Sequence, residues 1–237
     1  MNEQPIEKRM MRSTVIEVRE IFKSIQGEGP FAGTPAIFIR LAGCNLQCPY
    51  CDTDYTSRRF HKEPAAVALQ AHEMRQGDKI HLCVITGGEP FRQPIALDKL
   101  VTELIYRNFY VQIETNGTLN CDITARYSKD ISKRNGVFLV CSPKTHKVHP
   151  SVWDAAVAWK YVLCADHVST RDGLPLNVLR RSGAQVVRPP EGALVYVQPT
   201  DAKDPTTNDY NREAALQSCL RFGYIFQPQL HKMIGVQ

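Results

Sequence analysis

The stretch Gly43-Cys44-Asn45-Leu46-Gln47-Cys48-Pro49-Tyr50-Cys51-Asp52-Thr53 spaces its cysteines as C-x3-C-x2-C. It follows directly on an apolar, strand-like segment, Ala36-Ile37-Phe38-Ile39-Arg40-Leu41. Three thiolates so close together suit three irons of a four-iron cluster and leave the fourth iron without a protein ligand. An open iron can bind a small molecule and pass it an electron, which points to an enzyme. Two other readings fit part of the stretch. Cys48-x-x-Cys51 alone matches half of a zinc site or a thioredoxin-like redox pair. A structural zinc wants a fourth ligand at similar local spacing, but no second C-x2-C and no His pair follows, and His61 stands alone. A redox pair leaves Cys44 without a part. Spacing by itself leaves cluster, zinc and redox pair open.

Composition sets wider bounds. A chain of 237 residues, 43% hydrophobic, suffices for one large α/β domain, and a (β/α) barrel-like unit is routine at this size. Eight cysteines over this length make no dense disulfide framework. No apolar run is long enough to span a membrane, and no signal-like segment lies near the start. A cytoplasmic protein without a membrane partner is expected. The net charge of +5 is modest, and basic residues cluster only in short runs such as Arg58-Arg59 and Arg180-Arg181. Charge therefore argues against nucleic acid as a partner and leaves room for a small anionic substrate.

Residues 1–14 read as a flexible polar segment and 15–237 as a single core domain. Strands are expected at Val15 to Ile21, Ala36 to Leu41, Leu82 to Ile85, Tyr110 to Ile113, Val137 to Val140, Val157 to Leu163, Leu194 to Val197 and Tyr224 to Phe226. Helices are expected at Pro64 to Met74, through Leu97, Leu100, Val101, Leu104 and Ile105, and through Ala214, Ala215, Cys219 and Leu220, ending near Gly223. Asp201 to Asp209 reads as a polar loop. Alternating strands and helices imply a mostly parallel sheet.

Polar signatures follow the strand ends. Thr86-Gly87-Gly88-Glu89-Pro90 follows Ile85, Glu114-Thr115-Asn116-Gly117-Thr118 follows Ile113, Ser142-Pro143-Lys144 follows Cys141, and Gln198-Pro199 follows Val197. In parallel α/β structures ligands collect at the carboxyl ends of strands, so these turns and the cysteine loop should ring one pocket. Each turn alone has a plainer reading. Gly87-Gly88 also fits a loop hinge. Glu114 and Asn116 also fit helix caps. Lys144 also fits a solvated turn residue, and Gln198 a strand terminator before proline.

The cysteine spacing, the Gly-Gly-Glu-Pro turn and the strand-end order together resemble the radical S-adenosylmethionine superfamily. The resemblance implies a partial (β/α) barrel and a 4Fe-4S cluster on Cys44, Cys48 and Cys51. The cofactor would be S-adenosyl-L-methionine, chelated by the open iron and cleaved to a 5′-deoxyadenosyl radical that abstracts hydrogen from a substrate. A finer resemblance is to the 7-carboxy-7-deazaguanine synthase family of queuosine-type biosynthesis. Ile25-Gln26-Gly27-Glu28-Gly29, Phe38-Ile39-Arg40-Leu41, Cys51-Asp52-Thr53, Ile113-Glu114-Thr115-Asn116-Gly117 and Gln229-Leu230-His231-Lys232 carry it. It covers the chain from about Ile21 onward.

That family resemblance implies a lyase. Its substrate would be 6-carboxy-5,6,7,8-tetrahydropterin, contracted with loss of ammonia to 7-carboxy-7-deazaguanine. Glu28 suits the guanidine-like edge of the pterin, with Ile25, Gln26 and Gly27 beside it. Arg40 suits the substrate carboxylate, although it also fits pairing with an acid. Thr86, His231 and the terminal Gln237 are further substrate candidates. Lys232 lies with His231 in a segment expected to close over the pocket. The resemblance assigns Mg2+ to Thr53, a residue that also fits a helix N-cap. It assigns the cofactor to Tyr50, Asp52, Gly88, Glu89, Glu114, Asn116, Ser142, Pro143, Lys144, Gln198 and Pro199. It further implies a homodimer and a flavodoxin or ferredoxin reductant. Another small radical enzyme, such as a glycyl-radical activase, and a non-catalytic zinc-binding module are the alternatives. Some relatives carry a long insertion within the cysteine motif, and this chain has the short form. Cys83, Cys121, Cys141, Cys164 and Cys219 are scattered and read as core or incidental residues.

Overall fold

Strands here are built by alternation, because successive side chains of a strand point to opposite faces. The computed structural model describes residues 2–122, 127, 130–179 and 185–237. The Arg180-Arg181 pair lies outside them. The strands are β1 (Ile16–Ile25), β2 (Pro35–Leu41), β3 (Phe60–Lys62), β4 (Leu82–Gly87), β5 (Tyr110–Thr115), β6 (Val137–Cys141), β7 (Ala156–Leu163), β8 (Val195–Pro199) and β9 (Ile225–Phe226). They form one nine-stranded sheet in the order β3-β1-β2-β4-β5-β6-β7-β8-β9. From β2 to β9 every neighbour is parallel, while β1 runs antiparallel to both β2 and β3. This is a single α/β domain with a mostly parallel sheet, as expected.

The helices are α1 (Pro64–Glu73), α2 (Pro94–Tyr106), α3 (Pro150–Ala155), α4 (Pro205–Phe222) and α5 (Leu230–Met233). One face of the sheet is apolar throughout. Ile37, Ile39, Cys83, Ile85, Val111, Ile113, Leu139, Trp159, Tyr161 and Val197 pack there against Leu97, Leu100, Val101 and Leu104 of α2 and Ala215 of α4. The intervening residues face the other way. Near the amino ends they are Phe38, Leu82, Val84, Tyr110 and Phe138, closed by Phe31 into a smaller core. Toward the carboxyl ends the same phase continues as Arg40, Thr86, Glu114 and Lys160, and these are polar. Side chains from β2 and from β8 line one cavity, so the sheet curls toward a barrel that its β3 and β9 edges leave open.

Several expectations change in detail. β1 runs to Ile25 rather than Ile21, because antiparallel pairing to Pro35–Leu41 supports its half-exposed residues. Asp201 to Asp209 is not loop throughout. Asp204 caps α4 by accepting from Thr207 N at 2.8 Å, and Pro205 opens the helix. As expected, α4 stops at Gly223, whose φ of 75° suits glycine. β3, α3 and α5 were not anticipated, since three to six residues give no measurable period. Residues 2–12, expected to be flexible, form no helix or strand but are hydrogen-bonded onto the cysteine loop. Asn2 Nδ2 donates to Cys48 O at 3.2 Å and Glu7 N to Cys44 O at 2.7 Å. No described helix is long and apolar enough to cross a membrane.

Candidate active site

The cavity at the carboxyl ends of the strands has a volume of about 490 Å³, within the usual range of small-molecule sites. Cys44, Cys48 and Cys51 line it, together with Tyr50, Asp52 and Thr53 of the same loop. So do Arg40, Thr86, Gly88, Glu114, Asn116, Ser142, Lys144, Gln198 and Pro199, and from outside the sheet Gln26, Glu28, His231, Lys232 and Gln237. Four expected residues do not line it. Ile25 ends β1 with its backbone paired to Pro35. Pro143 is buried beside the cavity. Gly27 and Glu89 act from behind the wall. A Cβ on Gly27 would fall 2.2 Å from His231 Nδ1, so the glycine makes room for the histidine.

Glu89 is fully buried. Its carboxylate accepts from Phe91 N at 3.1 Å, Asn116 N at 2.8 Å and Thr115 Oγ1 at 2.8 Å. It thus holds the turn after β5. Gly88 sits where backbones meet, since a Cβ there would lie 1.9 Å from Gly43 O. Asn116 reaches the cysteine loop, donating from Nδ2 to Asn45 Oδ1 at 2.9 Å. Glu114 is shared. Its Oε1 accepts from Gln26 and Gln112, each at 3.1 Å, and its Oε2 from Thr86 at 2.9 Å. A residue expected to serve the cofactor is therefore bonded to two expected to serve the substrate.

Glu28 meets a partner the sequence reading did not anticipate. Lys160 of β7 donates to Glu28 Oε2, and both side chains are buried. Gln229 Nε2 donates to Glu28 Oε1 at 2.9 Å. Burial opposes charge on both members of the pair. The Lys160 ammonium nevertheless holds the Glu28 carboxyl below the usual range, and Glu28, Glu114 and Asp52 hold Lys160 above its own. Both are ionised. The clue to Lys160 was a lone lysine in an apolar strand, Trp159-Lys160-Tyr161, in phase with the cavity face.

Arg40 donates from Nε to Glu20 Oε1 at 2.7 Å, so it does pair with an acid, and from NH1 to Thr53 Oγ1 at 3.4 Å. Glu20 also accepts from Gln237 Nε2 at 3.0 Å. The tail is latched on the other side by Lys232, which donates to Asp52 Oδ2 at 3.1 Å and Asp201 Oδ2 at 2.9 Å. Burial raises the Asp52 carboxyl, but Lys232 and Gln229 outweigh it and keep the acid below its ordinary range. Gln229 reaches Asp52 Oδ2 at 3.1 Å. Glu20 and Lys160 are the main site residues that sequence reasoning passed over, and Gln229 stood only in a motif with no role assigned.

The donor set fits the implied groups. Burial pushes the Cys44 thiol up to about 12 and raises Cys48 and Cys51 as well, so iron must displace their protons. No three described His, Cys, Asp or Glu side chains close on one point as they would around a single ion. In a four-iron cube each thiolate takes a different iron, so wider spacing suits it. Gln198 Oε1 is buried without a hydrogen-bond partner on the wall expected to meet the adenine. An amino donor there would satisfy it.

Fold and cavity together define a radical S-adenosylmethionine protein, and residues 38–133 match the Radical SAM superfamily. Over 226 residues the chain is 39% identical to the 7-carboxy-7-deazaguanine synthase of Rhodospirillum rubrum, covering 92% of each chain. It is 36% identical over 232 residues to that of Rickettsia prowazekii, covering 94% of this chain and 90% of the other. The crystal structure of QueE from Escherichia coli superposes with a TM-score of 0.64 at 25% identity, over 92% of this chain and 95% of that one. The chain belongs to the 7-carboxy-7-deazaguanine synthase family.

Burial pushes the Glu89 carboxyl up from 4.5 to about 7 despite its three donors. Between those values the folded chain holds a proton that the unfolded chain has lost. The Glu89 contribution to stability therefore falls as pH rises through that window and is lowest above pH 7. In urea unfolding of the cluster-free protein, Glu89→Gln should remove a decline on the order of 3 kcal/mol. A difference between variant and wild type that stays constant from pH 5 to 8 would assign Glu89 an ordinary carboxyl.

Proposed function

We propose that this chain converts 6-carboxy-5,6,7,8-tetrahydropterin to 7-carboxy-7-deazaguanine, a lyase step of 7-deazapurine (queuosine-type) biosynthesis. The observation that carries the reading is one cavity holding three cysteines near one wall and Glu28, Arg40 and Thr86 around the rest. When bound, the 4Fe-4S cluster and S-adenosyl-L-methionine supply a radical that abstracts hydrogen. The chain positions the partners. Cys44, Cys48 and Cys51 hold the cluster. Tyr50, Asp52, Gly88, Asn116, Ser142, Lys144, Gln198 and Pro199 surround the cofactor, with Glu89 and Pro143 supporting from behind. Glu114 joins this set to the substrate set through Thr86 and Gln26.

Glu28, kept ionised by Lys160, accepts from the guanidine-like edge of the pterin in charge-assisted hydrogen bonds. The Nε edge of Arg40 is occupied by Glu20, which orients the rest of its fork toward the substrate carboxylate. Thr53 would hold Mg2+ through its hydroxyl oxygen, a donor type that suits this ion, which would offset charge on the substrate carboxylate. His231, Lys232 and Gln237 close the mouth, with Ile25 and Gly27 shaping the wall beneath. A cavity of about 490 Å³ suits a small molecule, so neither the activase nor the zinc module is favoured. A homodimer, a flavodoxin or ferredoxin reductant and a cytoplasmic location complete the proposal.

Anaerobic incubation with the pterin, the cofactor and reductant should yield the deazapurine by mass analysis. Cys48→Ala should lose the cluster and all turnover, and retained turnover would remove the cysteine assignment. Lys160→Met should raise the KM for the pterin about tenfold or more, since an uncompensated buried Glu28 takes up a proton. Cofactor cleavage without substrate, followed as 5′-deoxyadenosine, should stay within about twofold. Equal loss of both would make Lys160 purely structural. Thr53→Ala should flatten the magnesium dependence of the rate, and an unchanged dependence would place the ion elsewhere.

A further inference from the structure

The cysteine loop between β2 and β3 has almost no regular structure of its own. Within it, Gly43 N donates to Tyr55 O at 3.0 Å and Cys51 N to Cys48 O at 3.2 Å. Other backbone groups of the loop are satisfied from the amino-terminal segment. The Cys44 and Cys48 carbonyls accept from Glu7 N and Asn2 Nδ2.

Gln4 sits at the centre. Its Nε2 donates to Thr53 O at 2.9 Å, and its Oε1 accepts from Tyr55 N at 2.8 Å and Thr56 Oγ1 at 3.3 Å. Its own carbonyl accepts from Gln47 Nε2 at 2.9 Å, and its N donates to Asn2 Oδ1 at 3.0 Å. One side chain therefore grips the limb that carries Cys51, Asp52 and Thr53. Thr53 O also accepts from Cys51 Sγ at 3.5 Å. The far end of the segment is anchored too. Glu7 pairs with Arg59 and with buried Arg92, and Met11 N donates to Arg92 O at 2.7 Å. Arg92 in turn packs so closely on Gly43 that a Cβ there would lie 2.4 Å from its NH2.

We propose that residues 2–7 form a strap that positions the cysteine loop, with Gln4 as its central positioning residue. A loop lacking helix or sheet bonds must be held from outside if its ligands are to keep a fixed geometry. The strap does this from the segment that composition marked as loose. It also covers loop carbonyls that would otherwise bind water and admit solvent behind the ligands. The inference rests on the reading that Cys44, Cys48 and Cys51 hold the cluster.

The test uses Gln4→Met and a chain lacking only residues 2–7. In the cluster-free protein, hydrogen exchange at the Cys51 amide is followed, because that amide donates to Cys48 and not to the strap. Exchange there should quicken about tenfold or more, while amides of β4 and β5 keep their rates. In the loaded protein under anaerobic conditions, iron release to a ferrous chelator should quicken by a similar factor. Unchanged Cys51 exchange in Gln4→Met would overturn the strap, as would unchanged iron release. Should the deletion fail to fold, Gln4→Met decides. If wild type assembles no four-iron cluster, the functional reading fails, while the exchange result still judges the contact.

Discussion

The ion pair between Glu28 and Lys160 is buried in the cavity wall and joins residues 132 positions apart. An unpaired charge buried there would cost several kcal/mol, so the two must meet or one must neutralise. Their meeting brings the segment after β1 against β7, strands well separated in the sheet order. Both residues line the cavity, so the pair ties its walls together. Gln229 adds the tail to the same carboxylate, and Gln227 bonds both backbone groups of Gly29 nearby. This part of the cavity wall is thus organised around one buried acid and the cation that keeps it charged.

Strand alternation explains much of what could be read in advance. The cysteine loop, the turn after β4, the turn after β5 and Ser142-Pro143-Lys144 were visible because polar residues interrupt apolar runs at strand ends. What alternation does not reveal is the inward direction of a turn residue. Glu89 and Asn116 stand in similar motifs, yet Asn116 lines the cavity and Glu89 lies behind it. Partners distant in sequence were also hidden. Glu20, Lys160 and Gln229 each acquire meaning only through a contact formed by folding. The contacts of the amino-terminal residues were hidden for a related reason. Polar side chains read as solvated, but amides such as that of Gln4 supply donors and acceptors to a loop short of both.

The cavity holds acids and bases that are already mutually satisfied. Glu114 takes three donors, Asp52 takes Lys232 and Gln229, and Arg40 takes Glu20. Such networks fix side-chain directions before a ligand arrives and so lower the ordering cost of binding. The thiols are the exception. Burial raises all three, so any metal bound there would have to displace their protons.

The latch between Lys232 and Asp52 spans 180 residues, which has a consequence for biosynthesis. Translation at about 5–20 residues per second separates the emergence of the two ends by roughly ten to forty seconds. Throughout that interval Asp52, and later Asp201, lie without the ammonium that bridges them in the folded chain.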